Sequence, residues 1–311
     1  MKWFDKEAIL AAIDADQVIE TITRAFVDHS AGKVQSLAVG HLRFDRPPGD
    51  VHVKGAHIGG RDLFAIKIAG SFYENPTRGL PSSNGMMLVF DALTGAPLGV
   101  LSDEGALTDL RTAVAGAIAA RLIAPTNPRI LGVVGAGTQA ALQAHWIART
   151  TSVEKVRVWA RSPERADRLA GLLRAEGRDA ETAVSLGDLC READIIVTTT
   201  PARDPLIRAD AARPGLRVVA VGADAPGKRE LAPELVAAAQ LILVDSRSQC
   251  AAYGDSAGVV EPARMVEIGE ALAAPTALRL PDGAIAIADL TGIGAQDAAI
   301  AELAWRSLNP S

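Results

Sequence analysis

The segment that decides the fold is Ile130-Leu131-Gly132-Val133-Val134-Gly135-Ala136-Gly137-Thr138-Gln139-Ala140, an apolar run that leads into a glycine-rich turn. The run has the length of a buried strand, and the residues that follow, Ala141 to Ala148, favour a helix. A G-x-G-x-x-A pattern between a strand and a helix is typical of a loop that binds a dinucleotide, although a glycine turn without a ligand is the alternative. The first glycine permits the tight turn, the second lets a pyrophosphate approach the backbone, and the alanine lets the helix pack closely. The residues predicted to contact the cofactor here are Gly135, Gly137, Thr138 and Gln139.

Beyond this loop the chain alternates between short apolar runs and helical stretches. The predicted strands are Ile130 to Val134, Val156 to Trp159, Ile195 to Thr198, Val218 to Val221, Leu241 to Val244 and Ile285 to Leu290. Such alternation is typical of βαβ units, in which helices cover both faces of a parallel sheet. The fold class is therefore α/β, with a doubly wound Rossmann domain predicted at residues 125–291.

The part of the chain before this domain has a different pattern of apolar residues. Ala8 to His29 carries apolar residues at helical spacing, and residues 35–101 contain short β-type runs between turn clusters, which predict about five mainly antiparallel strands. A helix of small residues is predicted to begin at Thr108 and end at Ala124, before two prolines. We expect residues 1–124 to form an α+β domain, to which residues 292–311 return through a last helix from Asp297 to Leu308.

Composition and charge narrow the functional classes. The 311 residues include 32 Lys and Arg against 37 Asp and Glu, a net charge of −5, so a broad basic surface for nucleic acid is not expected. Cys190 and Cys250 cannot form a disulfide framework, which favours buried, reduced thiols and a cytoplasmic location. No apolar run approaches the ~20 residues that cross a bilayer. The histidines His41, His52, His57 and His145 show no metal-ligand spacing, so no metal is predicted.

The end of the second Rossmann strand determines the choice of cofactor. An acidic residue there bonds the ribose of NAD, but this chain has Ala160-Arg161-Ser162-Pro163-Glu164-Arg165. We expect Arg161, Ser162 and Arg165 to surround the extra phosphate of NADP, so NADP(H) is preferred and NAD(H) remains open; ordinary surface arginines are the alternative. After a later strand, Thr200 is a further predicted cofactor contact, although helix capping also explains a threonine there.

Two cations occur in apolar surroundings before the Rossmann domain. Lys67 interrupts the apolar run Phe64 to Gly70, and a buried lysine is costly unless it is paired. Arg111 falls in the expected first turn of a helix built from small residues. Both side chains indicate an anion-binding site.

Several of these segments together resemble one known family. They are Ala65-Ile66-Lys67, Asn75 to Pro81, Leu107 to Ala113, Gly135 to Gln139 and, most specifically, Val221 to Leu231. The chain resembles the ornithine cyclodeaminase and mu-crystallin family of NAD(P)-dependent enzymes, which includes ornithine cyclodeaminase, archaeal alanine dehydrogenase and reductases of cyclic ketimines. The resemblance implies hydride transfer at a carbon that bears nitrogen and a carboxylate, and a homodimer built from the substrate-binding first domains.

The resemblance also implies roles for individual residues. Lys67 and Arg111 look like the residues that hold the substrate carboxylate, with Arg43 as a third contact, and Asp224 looks like the acid/base beside the substrate nitrogen. The chemistry of these groups agrees, because a guanidinium binds a carboxylate at two points and a carboxyl group can exchange a proton with an amine. The alternatives are a turn residue for Asp224 and a solvated strand charge for Arg43.

One departure from the family pattern bears on the substrate. Lys54 enters the predicted sheet where many family members have an apolar residue, so we expect it to face the pocket and to favour a substrate with a second anionic or strongly polar group. A surface lysine is the alternative. The expected activity is NADPH-dependent reduction of a small α-imino acid. The alternatives are an amino-acid cyclodeaminase acting on ornithine and a mu-crystallin-like ligand carrier. The expected partners are the small substrate and a second copy of the chain, with neither nucleic acid nor membrane.

Overall fold

The computed structural model describes residues 1–274, 278, 280–281 and 283–310. It contains two compact units, which we call the first unit (Met1–Arg111 with Ile293–Ser311) and the second unit (Thr112–Gly292). The division after Arg111 lies inside a helix, whereas the sequence led us to expect a boundary after Ala124. Arg111 belongs with the first unit because its guanidinium is bonded to Asp297 of the C-terminal helix.

The first unit begins with three short elements. They are β1 (Lys2–Asp5), α1 (Lys6–Ala12) and α2 (Ala15–Ser30). The single helix expected from Ala8 to His29 is wrong, because Ile13 is extended and Asp14 starts a new helix by accepting the backbone N–H groups of Asp16 and Gln17. This is the ordinary action of an N-cap aspartate.

A mostly antiparallel sheet forms the centre of the first unit. Its further strands are β2 (Val34–Ser36), β3 (Gly40–Asp45), β4 (Pro48–Ile58), β5 (Leu63–Phe72), β6 (Ser83–Asp91) and β7 (Pro97–Ser102). The order is β1-β7-β6-β5-β4-β2, with β3 also paired to β4, and β1 is parallel to β7. Lys54 lies directly opposite Lys67 in the β4–β5 register, so both side chains emerge on one face.

Helix α3 (Ala106–Ile123) follows the sheet. It begins at Ala106 and not at Thr108, because Asp103 Oδ2 accepts the N–H of Leu107 at 2.8 Å and supports an earlier start. Arg111 consequently lies in the second turn and not in the first. The small residues of the helix are buried on every side, which explains why its sequence shows no polar face.

The second unit is a parallel sheet with helices between its strands. Its elements are β8 (Ile130–Val134), α4 (Thr138–Thr150), β9 (Lys155–Trp159), α5 (Pro163–Ala175), β10 (Asp179–Thr182), α6 (Leu186–Glu192), β11 (Ile195–Thr198), β12 (Arg217–Ala220), α7 (Pro233–Ala238), β13 (Leu241–Val244), α8 (Arg247–Ala252), β14 (Met265–Glu267), α9 (Ile268–Ala273) and β15 (Ala286–Asp289). The order β10-β9-β8-β11-β12-β15-β13-β14 reverses direction between β8 and β11. Ligands of doubly wound folds bind at that reversal, beyond the carboxyl ends of the strands.

Two strands of this sheet, β10 and β14, were not predicted from the sequence. Both lie at an edge of the sheet and neither forms an apolar run, since β10 is mostly polar and β14 has three residues that end in Glu267. Cys190 and Cys250 are buried and form no disulfide. Among the described residues, no helix has the length and apolarity needed to span a membrane.

The last helix, α10 (Gly294–Leu308), belongs to the first unit and packs against β4, β5 and α2. It begins at Gly294, three residues before the expected start at Asp297, so Asp297 is part of its first turn. A Cβ atom at Gly294 would lie 2.9 Å from the carbonyl oxygen of Gly55 on β4. The missing side chain therefore lets the start of α10 approach the sheet closely.

Candidate functional site

The glycine-rich turn has the backbone that a dinucleotide loop needs. Gly135 has φ +126°, a conformation that favours glycine, and a Cβ atom there would lie 2.5 Å from Thr199 Oγ1. Gly137 precedes α4 as its N-cap, and no atom lies within 4 Å of where its Cβ would be. The space beside Gly137 at the start of α4 is thus open, and backbone N–H groups of a first helical turn can bind a pyrophosphate there. Thr138 and Gln139 form the first positions of that helix, so this part of the site fits a dinucleotide.

The connection between β9 and α5 contains the residues predicted to select the cofactor. Arg161 and Arg165 are exposed, and Ser162 is the N-cap of α5, where its hydroxyl oxygen accepts the N–H of Arg165. Glu164 was not assigned a role from the sequence. Its Oε2 atom accepts a hydrogen bond from the Ser162 hydroxyl, with 2.6 Å between the two oxygens. This hydrogen bond is the main reason that the pKa of Glu164 is lowered. A phosphate at Ser162 would have to displace the carboxylate of Glu164.

Buried Glu230 joins the carboxyl ends of β11 and β12. Its two oxygens accept hydrogen bonds from the hydroxyls of Thr198 and Thr200 and from the backbone N–H groups of Thr200 and Gly222, at 2.6 to 2.7 Å. Burial raises the pKa of Glu230, and these hydrogen bonds act in the opposite direction. The Thr200 hydroxyl is thus bonded within the protein. In the sequence, the one sign of the role of Glu230 is its position directly before the apolar Leu231.

Asp224 lies in the loop that follows β12, the loop whose first residues Glu230 fixes. Its side chain is 46% exposed, and Lys228 donates a hydrogen bond to Asp224 Oδ1 at 2.6 Å. Burial raises the pKa of Tyr253 to about 12. The charges of Asp245, Cys250 and Asp224 add to this rise, so Asp224 interacts electrostatically with the Tyr253 hydroxyl. Asp224 is therefore accessible, and Lys228 holds its carboxylate in position.

Three buried ionic side chains of the first unit form one cluster. Asp297 Oδ2 lies 2.9 Å from Lys67 Nζ, and Asp297 Oδ1 accepts a hydrogen bond from Arg111 Nε at 2.9 Å. Gln296 Oε1 also accepts from Arg111, at 3.3 Å. All three ionic side chains are at most 6% exposed. Asp297 was missed by the sequence analysis, because nothing in the alanine-rich sequence of α10 distinguishes it from an ordinary first-turn aspartate.

The cluster holds more positive than negative charge. Lys54, 5% exposed, is opposite Lys67 and adds a third cation. Burial lowers the pKa of Lys67 to about 7, with Arg111 and Lys54 adding to the effect and Asp297 opposing it. Burial alone would raise the pKa of Asp297, but Arg111, Lys67 and Lys54 together lower it. Such an excess of buried positive charge is costly unless an anion binds to it.

A second carboxyl, Asp103, partly offsets the excess positive charge of the cluster. It is fully buried, and burial raises its pKa to about 6 against the effect of its backbone hydrogen bonds and of Lys67. Its Oδ2 atom is already used to start α3. Asp103 therefore supports the helix that carries Arg111 and offsets only part of the positive charge of the cluster.

The structure does not place Arg43 in this cluster. Arg43 lies on β3, every residue of which is exposed, and its guanidinium forms an ion pair with Asp45 at 3.4 Å. Its register partner on β4 is Asp50, two repeats of the pleat away from Lys54 along the same strand. Arg43 shares the face of Lys54 but not its immediate surroundings.

Two further buried carboxyls lie together in the second unit. Asp255 Oδ1 accepts the N–H groups of Glu230 and Leu231, and Asp289, at the end of β15, accepts the N–H of Ser256 at 2.8 Å. Burial raises the pKa of each to about 7; Glu230 adds to the rise at Asp255, and Asp255 adds to the rise at Asp289. The pair fixes the segment around Gly254 against β15.

A family model, the ornithine cyclodeaminase/mu-crystallin family, matches residues 5–309. Δ¹-pyrroline-2-carboxylate reductase of Thermococcus litoralis, solved with NADH and L-proline, superposes with a TM-score of 0.90 at 26% identity, covering 99% of this chain and 97% of that one. An archaeal alanine dehydrogenase dimer with bound NAD gives 0.89 at 30% identity, with coverage of 98% and 95%. The iminosuccinate reductase of Paracoccus denitrificans with NAD⁺ gives 0.87 at 29% identity, with coverage of 99% and 96%. All three are similar to the chain over nearly its whole length.

Proposed function

This chain belongs to the ornithine cyclodeaminase/mu-crystallin family, and from that premise we propose that it is an NAD(P)-dependent oxidoreductase that reduces the C=N bond of a small α-imino acid. The observation that carries the proposal is the buried Lys67–Asp297–Arg111 cluster. Asp297 holds the ammonium and guanidinium groups in place before a substrate arrives. A substrate carboxylate then meets cations that need little reorganisation, which strengthens binding and fixes the adjacent carbon.

The residues that would hold the cofactor are Gly135, Gly137, Thr138 and Gln139, with the pyrophosphate at the start of α4. A bound reduced nicotinamide supplies the hydride that adds to the imine carbon. The nitrogen must gain a proton as the C=N bond becomes a C–N bond. Asp224, accessible and held by Lys228, is the group we assign to that proton transfer.

We propose NADP(H) as the preferred cofactor and NAD(H) as a possible one. The support is the pair of exposed arginines, Arg161 and Arg165, beside Ser162, and the lack of an acidic residue directly after β9. Thr200 remains a proposed contact through its position at the end of β11. The three solved relatives were found with NAD or NADH, so this preference is the part of the proposal that sets the chain apart from them.

The substrate proposal depends on Lys54. Lys54 is buried opposite Lys67, so two lysines and Arg111 lie close together beside the carboxylates of Asp297 and Asp103. A substrate with two carboxylates balances this charge better than one with a single carboxylate. Comparing a dicarboxylic imine with a cyclic monocarboxylic ketimine in wild type and in Lys54→Met tests the assignment: an unchanged ratio of kcat/KM would favour the cyclic ketimine. Arg43, on the same face, stays a proposed contact for the distal part of the substrate.

A panel of substrates tests the reaction itself. Imino acids with NADPH and with NADH, and L-ornithine with NAD⁺, are followed by nicotinamide absorbance. We expect oxidation of the reduced cofactor with at least one imino acid. Release of ammonia and proline from ornithine would assign a cyclodeaminase instead, and tight retention of ligand without turnover would assign a mu-crystallin-like carrier.

We also propose that two chains associate through their first units. The face of the sheet opposite Lys54 carries exposed apolar side chains, among them Leu42 on β3 and the register partners Ile68 and Met86 on β5 and β6. Exposed apolar surface on paired strands is typical of an interaction site. The archaeal alanine dehydrogenase is described as a dimer, which supports a second copy of the chain as the partner.

A further inference from the structure

Two histidines and an aspartate meet at one end of the first unit's sheet. His41 on β3 lies directly opposite His52 on β4, and Asp50 precedes His52 by two positions, so all three side chains emerge on the same face. One potential ligand atom from each side chain lies within 4.8 Å of those of the other two. We propose that His41, Asp50 and His52 bind a divalent transition-metal ion, with Zn²⁺ as the best match. This proposal is independent of the reaction proposed above.

The distances suit metal ligation. Zn–N and Zn–O bonds of about 2.0–2.2 Å in a tetrahedron place neighbouring ligand atoms about 3.4 Å apart. His52 Nε2 lies 3.4 Å from Asp50 Oδ1, which is that separation. The two imidazole rings are stacked with centroids 4.6 Å apart, so the His41 ring has to turn out of the stack for one of its nitrogens to reach the third corner.

The surroundings of Asp50 provide a second, independent observation. Tyr73 donates its hydroxyl proton to Asp50 Oδ2 at 2.7 Å, which leaves Oδ1 directed towards His52. Hydrogen bonds of this kind orient ligating carboxylates in metal sites. Asp50 is 8% exposed whereas His41 is exposed, so an ion can enter from the solvent side and neutralise a carboxylate that is largely removed from water.

The donor set indicates the class of ion and its effect. Two imidazoles and one carboxylate suit Zn²⁺, with a fourth position for water, and suit Ca²⁺ or Mg²⁺ poorly. Because β3 is an edge strand whose residues are all exposed, an ion shared by His41 and His52 would fasten it to β4. The sequence predicted no metal because these residues show no metal-ligand spacing along the chain, whereas strand pairing brings their side chains together.

The experiment titrates Zn²⁺ into the full chain, stripped with a chelator and free of any histidine tag, by calorimetry. We expect saturable binding of one ion per chain, and about 10-fold or greater weakening in His41→Ala, His52→Ala and Asp50→Asn. Tyr73→Phe, which keeps the ligands, should weaken binding by about 10-fold. His57→Ala and His145→Ala are matched controls outside the cluster and should bind as the wild type does. Substitution with Co²⁺ should give the visible absorption of a low-symmetry site.

Either of two results would overturn the proposal. One is a wild type without saturable binding. The other is binding that His41→Ala leaves unchanged or that His145→Ala weakens equally. His41 is exposed on an edge strand, so its replacement removes no core packing and loss of binding in that variant cannot be attributed to unfolding. Circular dichroism of each variant verifies this.

Discussion

Lys67 is a cation whose charge depends on its neighbours. It is 3% exposed, and burial with Arg111 and Lys54 nearby lowers its pKa to about 7. Asp297 acts in the opposite direction and fixes the positions of Lys67 and Arg111. Removing one partner of a buried ion pair costs about 3–5 kcal/mol, so Asp297 also supports the fold of the first unit. In the proposed function, Asp297 therefore sets the charge and the position of the two cations assigned to the substrate carboxylate.

This arrangement predicts a pH dependence of substrate capture. Deprotonation of Lys67 removes the charge that attracts the carboxylate, so kcat/KM for a monocarboxylic imine should fall as pH rises above about 7. Lys54→Met removes a neighbouring positive charge and should move this fall to higher pH. The exposed Lys33→Met serves as the control and should leave the profile unchanged. A profile that does not move in Lys54→Met would contradict the electrostatic coupling.

Asp224 provides a second prediction for a single residue. Asp224→Asn keeps the size of the side chain and an acceptor for Lys228 but removes the ionisable group. We expect kcat for imine reduction to fall by about 10²-fold, while the dissociation constant of the reduced cofactor changes little. The exposed Asp204→Asn in the same unit controls for a general loss of charge. Near-normal turnover in Asp224→Asn would make Asp224 a turn residue.

Among the elements, the connection from β9 to α5 is the one to which we assign the choice between the two cofactors. A charge-assisted hydrogen bond contributes about 1.5–3 kcal/mol, so Arg161→Ala should weaken NADPH binding by about 10-fold or more. NADH binding should hardly change, since it lacks the phosphate. Arg168→Ala, an exposed arginine within α5, is the matched control. Wild-type protein that binds NADH as tightly as NADPH would refute the preference. The absence of a preference would then be explained by the Glu164–Ser162 hydrogen bond, which keeps the phosphate away from Ser162.

The end of β15 predicts how the stability of the second unit depends on pH. The pKa values of Asp255 and Asp289 are raised to about 7, above the usual range of an unfolded chain. Protonation therefore favours the folded state, and this stabilisation is present at low pH and is lost as pH rises through about 7. The amide of Asp289→Asn does not titrate. Relative to this variant, the free energy of unfolding of the wild type should rise by up to ~1.4 kcal/mol per pH unit as pH falls from 8 to 5.

Melting temperatures at pH 5, 6.5 and 8 measure this difference. The exposed Asp210→Asn in the same unit should melt in parallel with the wild type. If the gap between the wild type and Asp289→Asn were constant over this range, the raised pKa values would be wrong. Comparing the two proteins at each pH cancels the effect of Lys67, whose lowered pKa acts in the opposite direction.

Across the whole molecule, the sequence predicted the parts whose signals are local. The dinucleotide turn and the buried strands of the second unit are local patterns, and Lys67 and Arg111 were recognised as cations in apolar surroundings. Asp297, Glu230 and the His41–His52 pair were not recognised. Each acts on residues far away in the sequence, through α10, through the loop after β12 or through strand register, so no single segment reveals it. The register of β4 against β5 was open for the same reason, and a shift of one residue would have turned Lys54 to the opposite face.

Association of two chains is the prediction that belongs to the whole molecule. Ile68 and Met86 are register partners on β5 and β6, each more than a third exposed, on the face opposite the cation cluster. Ile68→Asp places a charge in this apolar patch and leaves the buried face of the sheet intact, so burial against a second copy becomes unfavourable. Light scattering should give twice the 32.4 kDa chain mass for the wild type and one chain mass for Ile68→Asp. Leu172→Asp, an exposed leucine of α5, should remain dimeric. A monomeric wild type, or a dimer that Ile68→Asp does not dissociate, would exclude this face as the interface.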